Sequence, residues 1–295
     1  MNMKSIPGTA CLILFTASLL VCNAQGAACA AGAKQAPPGK FLAPGYYIPR
    51  PFDAESVTIE CSDGYRLTGD YIRRSRMNRR MPAVLFIHEG GRDKRSWYPM
   101  TVQLAGRGFA VLSIDLRGHG ENPASPSNRK ITGAQLKPED YAKMLDDIRN
   151  ALSYLSMRPA VESGSIAIIG ASLGANLGLA AASQPWAGAV KGVIALSPRL
   201  EDHGYSAEKA VTEMGRRHVY LVAAKDDTET YPDAVKLLGL AKGPKELLSV
   251  EGTARGAKLF GAALLSKVPA WLVDMLVQDN LALPPADRPS PAKRK

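Results

Sequence analysis

The chain has 295 residues, of which 46% are hydrophobic, 22% charged and 6% aromatic; this composition supports one sizeable core and excludes a mostly disordered or fibrous protein. Its formal net charge is +10, concentrated at residues 73–80, 92–95 and 292–295. No nucleic-acid motif accompanies that charge, so nucleic-acid partners are excluded and the clusters read as solvated loops, with attraction to an anionic surface as the alternative.

The N-terminal segment reads as an export signal. Lys4 supplies a positive start, residues 10–22 form an apolar run too short to span a bilayer comfortably, and Ala24 and Ala30 offer small-residue cleavage points. Residues 1–30 are therefore assigned to a signal peptide, which makes the mature protein periplasmic or secreted with no transmembrane segment; lipid attachment at Cys22 or Cys29 is the weaker alternative. Of the four cysteines, only Cys61 lies beyond that segment, so no disulfide framework is expected. Residues 31–50, rich in Gly, Pro and Ala, read as a linker, and 281–295 as a disordered basic tail.

Between these ends strand and helix patterns alternate. Residues 56–61 and 66–72 alternate in polarity around Ser62-Asp63-Gly64, a hairpin pattern. The run 83–87 (AVLFI) is apolar throughout, as in a strand covered on both faces. A helix is predicted over 97–106, a strand over 110–114, and a helix over 140–155 with Met144, Ile148, Leu152 and Leu155 at helical spacing. Strands follow at 166–169, 193–196, 219–223 and 246–250, and helices at 173–182, 233–240 and 269–277. This order predicts an α/β fold with a mostly parallel central sheet of about eight strands flanked by helices. Ligands of such sheets bind beyond the carboxyl ends of the strands, so the residues following each strand are the ones that matter.

After the strand at 166–169 comes Gly170-Ala171-Ser172-Leu173-Gly174, a G-x-S-x-G sequence between a buried strand and a helix of small residues. That context fits a nucleophile elbow, in which a sharp turn exposes a serine and the helix N-terminus offers free N–H groups to an oxyanion. His88-Glu89-Gly90-Gly91 follows the third strand, and Asp115-Leu116-Arg117-Gly118-His119-Gly120-Glu121 follows the fourth. With these three segments in this order, residues 56–277 resemble the α/β-hydrolase superfamily, and within it the small dienelactone hydrolase-like and serine aminopeptidase-like members. The resemblance implies an α/β-hydrolase domain over 51–280 and Ser172 as the attacking nucleophile. It implies oxyanion donors at the backbone N–H of Leu173 and in the 88–91 loop, at Glu89 or Gly90, where Glu89 stands in place of the usual glycine. It also implies an acid after the strand at 219–223, selecting Asp227 with Asp226 second.

The triad histidine implied after the last strand is missing. Arg255 stands there, before Gly256, and no histidine follows His218. An arginine stays protonated and cannot take the serine's proton, and removal of the histidine from a serine protease triad costs about 10⁶ in turnover. His203 is a candidate substitute base, because its segment begins the loop in which relatives insert caps. Arg255 also suggests a salt bridge to Asp227 or a seat for an anionic ligand. With only about twenty residues between Pro198 and Val219, no large cap domain fits. Two readings follow: a serine hydrolase of carboxylic esters or related acyl compounds through a Ser172 acyl-enzyme, or an inactive hydrolase-fold protein binding a small, anionic ligand. No cofactor motif and no metal-ligand spacing is visible.

Overall fold

The computed structural model describes residues 40–43, 46–49, 51–123 and 131–278. The expected signal peptide and basic tail lie outside these residues. Part of the expected linker does not. Strands β1 (Lys40–Ala43) and β2 (Tyr46–Ile48) pair antiparallel, and Ile48 is buried with Ile72 and Ala105. The Gly and Pro content of 31–50 hides the apolar run around Ile48, whose burial depends on surfaces far away in sequence.

The main sheet follows in chain order. β3 (Phe52–Glu60) and β4 (Arg66–Arg74) form the predicted hairpin. Then come β5 (Met81–Ile87), α1 (Tyr98–Gly106), β6 (Ala110–Ile114), α2 (Pro138–Ser156), β7 (Val161–Ala171), α3 (Leu173–Ala182) and β8 (Val190–Leu196). A two-stranded hairpin, β9 (Glu201–Asp202) with β10 (Tyr205–Ser206), and the short α4 (Ala207–Glu213) precede β11 (His218–Ala224). The chain continues through α5 (Thr230–Leu240), β12 (Lys245–Val250) and α6 (Ala262–Val273). The sheet has eight strands in the order β12-β11-β8-β7-β5-β6-β4-β3. β12 through β6 are parallel, and β4 and β3 close the edge antiparallel. This is the α/β-hydrolase fold, without a large cap domain: the β8–β11 connection holds only the small hairpin and α4. None of the helices among the described residues is long and apolar enough to cross a membrane.

β5 shows why the central strands are apolar throughout. Leu85 and Ile87 face a core shared with α2, α3, α4 and α5, while Val84 and Phe86 face one shared with α1 and α6. Alternate side chains of a strand point to opposite faces, and both faces are covered. α3 is buried along its whole length. A Cβ on Gly178 would stand 2.8 Å from Ile168 Cγ2, so small residues let this helix lie flat against the sheet.

α6 departs from expectation. Pro269 reads from sequence as a helix start, yet it sits inside a helix that begins at Ala262. A proline removes the N–H that would bond the carbonyl four residues back. That carbonyl, on Leu265, accepts instead from Gln103 Nε2 at 3.3 Å. The helix ends in a π-helical segment, Asp274–Gln278.

Buried charges fix the loop after β6. Asp115 accepts from the backbone N–H of Lys94 and from Lys94 Nζ, both at 2.8 Å, and from Thr68 Oγ1 and the Glu121 N–H, both at 2.9 Å. Lys94 is therefore not a solvated loop charge, as its place in the 92–95 cluster suggests, but a buried partner of Asp115. Arg117 donates to both oxygens of Asp147 (2.9 and 2.6 Å) and pairs with Asp63 at 2.9 Å. Its guanidinium also lies over the Tyr65 ring, 4.1 Å from the centroid. Cys61 is buried beside this cluster, and burial, with the Asp147 charge, pushes its thiol far above the ordinary range. Removing one partner of a buried ion pair leaves an uncompensated charge, at about 3–5 kcal/mol. Asp147→Ala is expected to lose stability in that range, read by urea denaturation, far more than Asp53→Ala, which removes the half-exposed partner of Arg73.

Candidate active site

The elbow is built by steric exclusion. Ser172 stands between β7 and α3 with φ 48 and ψ −117, a region that costs a non-glycine residue of order 1–3 kcal/mol. The neighbouring glycines are required by contact. A Cβ on Gly170 would lie 2.1 Å from the Gly174 oxygen, and one on Gly174 would lie 2.3 Å from the Ile87 oxygen and 2.6 Å from that of His88. The Ser172 N–H donates to the Leu196 carbonyl at 2.9 Å, and the Ser172 carbonyl accepts from Ala175 and Asn176. Its backbone is thus fully committed, while the hydroxyl, half-buried, makes no hydrogen bond among the described residues. The Leu173 N–H opens the helix, where no intrahelical acceptor exists for it.

The 88–91 loop is held by His88. This fully buried ring donates from Nδ1 to the Glu89 carbonyl at 2.7 Å and accepts at Nε2 from the Leu116 N–H at 2.9 Å. Both nitrogens are occupied by a neutral tautomer, so His88 shapes the loop and is not free to act as a base. Glu89 turns its carboxylate toward the segment after β12, where Oε2 accepts from the Ala257 N–H at 3.3 Å and Oε1 faces Arg92 Nε at 3.5 Å. Gly256 must be glycine there: its φ is 55, and a Cβ would collide with Glu89 Oε2. Gly90 is exposed, with open space around its missing side chain.

The two acidic candidates separate sharply. Asp226 is exposed. Asp227 is buried and accepts from Thr230 Oγ1 at 2.6 Å and from the N–H groups of Glu229 and Thr230 at 3.1 and 3.3 Å. Its fourth partner is Arg255, whose Nη2 lies 2.5 Å from Asp227 Oδ1 while Nη1 lies 3.0 Å from Glu229 Oε2. Burial alone would raise the Asp227 carboxyl, but the donors from Thr230, Glu229 and Arg255 together hold it below its ordinary value. The Arg255 side chain is 45% exposed and that of Asp227 0%. Arg255 is placed by Ser197, a buried residue with φ 49 whose hydroxyl accepts the next backbone N–H, that of Gly256, at 3.0 Å.

None of the four histidines hydrogen-bonds Ser172 or Asp227 among the described residues. His119 Nδ1 meets the Arg117 carbonyl at 2.9 Å, and its ring packs edge-on to His88. His218 opens β11, at the amino end of the strand, beside Tyr220. His203 Nδ1 lies 2.5 Å from Asp202 Oδ1, and its ring stacks on Tyr141 at 4.1 Å. With Leu136, Pro138, Tyr141, Ala142, Gly204 and Tyr205 it lines a cleft of about 520 Å³.

Sequence reasoning missed Asp202, Thr230, Ser197 and Asn176. Thr230 follows Asp227 by one helical turn, a spacing legible once Asp227 is chosen. Asp202 and His203 are adjacent, but neighbours in a strand point to opposite faces. Only the left-handed backbone of His203, φ 48, turns the two side chains together. Asn176, four residues beyond Ser172, ties α3 to the β9–β10 hairpin: its Nδ2 donates to the Arg199 and Tyr205 carbonyls, each at 2.9 Å, and its Oδ1 accepts from the Arg199 N–H at 3.1 Å.

The His88 clamp has a pH signature. Burial brings the ring from 6.5 down to about 4, so the folded state resists a proton that the unfolded chain accepts. Its stabilisation is full above pH 6.5 and is lost as pH falls from there to about 4. Wild-type unfolding free energy is expected to fall through that window by more than that of His88→Gln, measured by urea denaturation at stepped pH. A Gly174→Ala variant is expected to lose about 1–3 kcal/mol in the same assay, from the backbone displacement its Cβ forces.

The comparisons with known proteins agree with this geometry. The family model described as "alpha/beta hydrolase fold" matches residues 82–224, the segment carrying the 88–91 loop and the turn at Ser172. The chain is 24% identical over 232 residues to the uncharacterized protein YfhR of Salmonella typhimurium, covering 69% of this chain and 75% of that one. Among solved structures, dienelactone hydrolase from Anabaena variabilis superposes with a TM-score of 0.62 at 19% identity, over 76% of this chain and 99% of that one. An acetyl xylan esterase from Paenibacillus sp. R4 gives 0.61 at 18% identity, over 77% and 85%. With the eight-stranded sheet and the elbow in place, the chain is a member of the α/β-hydrolase superfamily.

Proposed function

We propose that the protein is a serine hydrolase of carboxylic esters or related acyl compounds, acting through an acyl-enzyme on Ser172. The observation that carries this reading is the backbone of Ser172. A left-handed φ of 48 is maintained at a side chain whose hydroxyl has no structural hydrogen bond, and strain held without local benefit clusters at functional sites. In the reaction Ser172 Oγ attacks the acyl carbon, and the carbonyl oxygen takes negative charge. The Leu173 N–H at the head of α3 receives that charge, together with an N–H of the Glu89–Gly90 turn. The Glu89 carboxylate, tied to the Ala257 N–H, stands aside from the developing anion. The names of two structural neighbours, a dienelactone hydrolase and an acetyl xylan esterase, favour lactones or small esters as the substrate class. On the same reading the chain is exported, on the strength of the Lys4 and 10–22 leader pattern, and works in the periplasm or outside the cell.

The Arg255–Asp227 pair favours a second reading. Asp227 already holds a permanent cation where an imidazole would need it, and Arg255 cannot carry the Ser172 proton. On that reading the site binds a small anionic ligand beside Arg255 and does no chemistry.

Fluorophosphonate labelling separates the two. Wild type is expected to be labelled at Ser172, with Ser172→Ala unlabelled and Arg255→His labelled at least as fast as wild type. Labelling of Arg255→His with none of the wild type would establish the second reading.

A further inference from the structure

We propose that Asp202 and His203 are this protein's acid–base pair, relocated from the segments after β11 and β12 to the β9–β10 hairpin; the proposal rests on the reading of Ser172 as nucleophile. Three observations lead there. The first is the pair itself. Asp202 Oδ1 lies 2.5 Å from His203 Nδ1, the arrangement in which a carboxylate fixes an imidazole so that Nδ1 carries the proton and Nε2 is left to accept another. No hydrogen bond occupies Nε2 among the described residues.

The second is the turn that presents it. His203 and Gly204 are its two central residues, with φ 48 and 88. A two-residue hairpin with positive φ at both positions strongly prefers Asn-Gly. A histidine there is a poorer choice for the turn, so its side chain has another use. Stacking on Tyr141 at 4.1 Å holds the ring at the rim of the 520 Å³ cleft.

The third is attachment. Asn176 lies one helical turn beyond Ser172 and holds the hairpin through the Arg199 and Tyr205 carbonyls. The pair is thereby fixed to the helix that presents the nucleophile. Across the cleft, Leu136 packs on Gly118 in the loop after β6, so the cleft is bounded by loops from the same carboxyl edge of the sheet. Its lining, two tyrosine rings with aliphatic side chains, suits an apolar acyl or aryl group. Asp227 is paired with Arg255 in place of an imidazole, and the other carboxylate–imidazole contact, His218 with Asp274 at 4.0 Å, lies at the amino end of β11.

In the reaction, a bound ester bridges the cleft and Ser172, and Nε2 serves the reacting oxygen directly or through one water; such contacts are often long before substrate binds and tighten in the complex. Nε2 takes the Ser172 Oγ proton as the Oγ–C bond forms, then gives it to the departing alcohol as the C–O bond breaks. In deacylation Nε2 takes a proton from the attacking water and returns it to Ser172 Oγ as the acid leaves. Asp202 is the positioning residue, holding the proton on Nδ1 throughout.

The test is the rate of fluorophosphonate labelling at Ser172. The central variant is His203→Asn, which removes the imidazole and leaves Asn-Gly, the sequence the turn prefers, so folding is preserved. It is expected to slow labelling about 100-fold, with free imidazole restoring much of the rate, and Asp202→Asn to slow it at least about tenfold. Labelling of His203→Asn at the wild-type rate would overturn the pair and leave the Ser172 reading intact. A slowed rate that imidazole does not rescue would also overturn it, because that is the signature of a structural role. Wild type that fails to label at all would overturn both.

Discussion

The site depends on one steric constraint: the head of α3 runs so close to the exit of β5 that no side chain fits between them. Gly174 lies against the carbonyls of Ile87 and His88, and Gly170 against the Gly174 carbonyl. This contact brings the first turn of α3 against the 88–91 loop and accompanies the left-handed backbone at Ser172. Its energy comes from elsewhere, chiefly from a helix buried along its whole length between the sheet and its neighbours. Packing over the whole of α3 offsets the local strain at one serine.

Around that centre the loops are pinned by buried polar groups rather than by apolar packing. His88 joins the exit of β5 to that of β6. Asp115 gathers Lys94, Thr68 and Glu121, and Asp147 anchors Arg117. In a low-dielectric interior such groups are costly unless satisfied, and satisfied they specify one arrangement. The D-x-R-G-H-G segment therefore acts as a clamp on loop geometry, and none of its side chains hydrogen-bonds Ser172 among the described residues.

Arg255 changes the electrostatics of the site more than its architecture. Asp227 keeps three donors from its own loop and α5, Thr230 Oγ1 and two N–H groups, so its carboxylate is fixed independently of Arg255. A half-exposed arginine bridges Asp227 and Glu229 and sets a permanent positive charge beside that carboxylate.

The sequence by itself determined the sheet, the elbow and the missing histidine, because these follow from local periodicity and from residue types at fixed offsets along the chain. The run at 83–87 must be covered on both faces, Ser172 must sit at a strand–helix turn, and arginine cannot act as a base. What it could not determine depends on groups brought together from distant segments or turned by the backbone. The burial of Asp227 and exposure of Asp226 were decided by packing, and the outward turn of Glu89 by an N–H 168 residues away. The burial of Ile48 was decided by β4 and α1, and the interior place of Pro269 by Gln103, which serves the carbonyl that the proline leaves open. The Asp202–His203 contact was decided by a positive φ in a two-residue turn, which composition and spacing do not encode. Local pattern fixes which residues can be neighbours along an element; only tertiary packing fixes which side chains are left without water and must find one another.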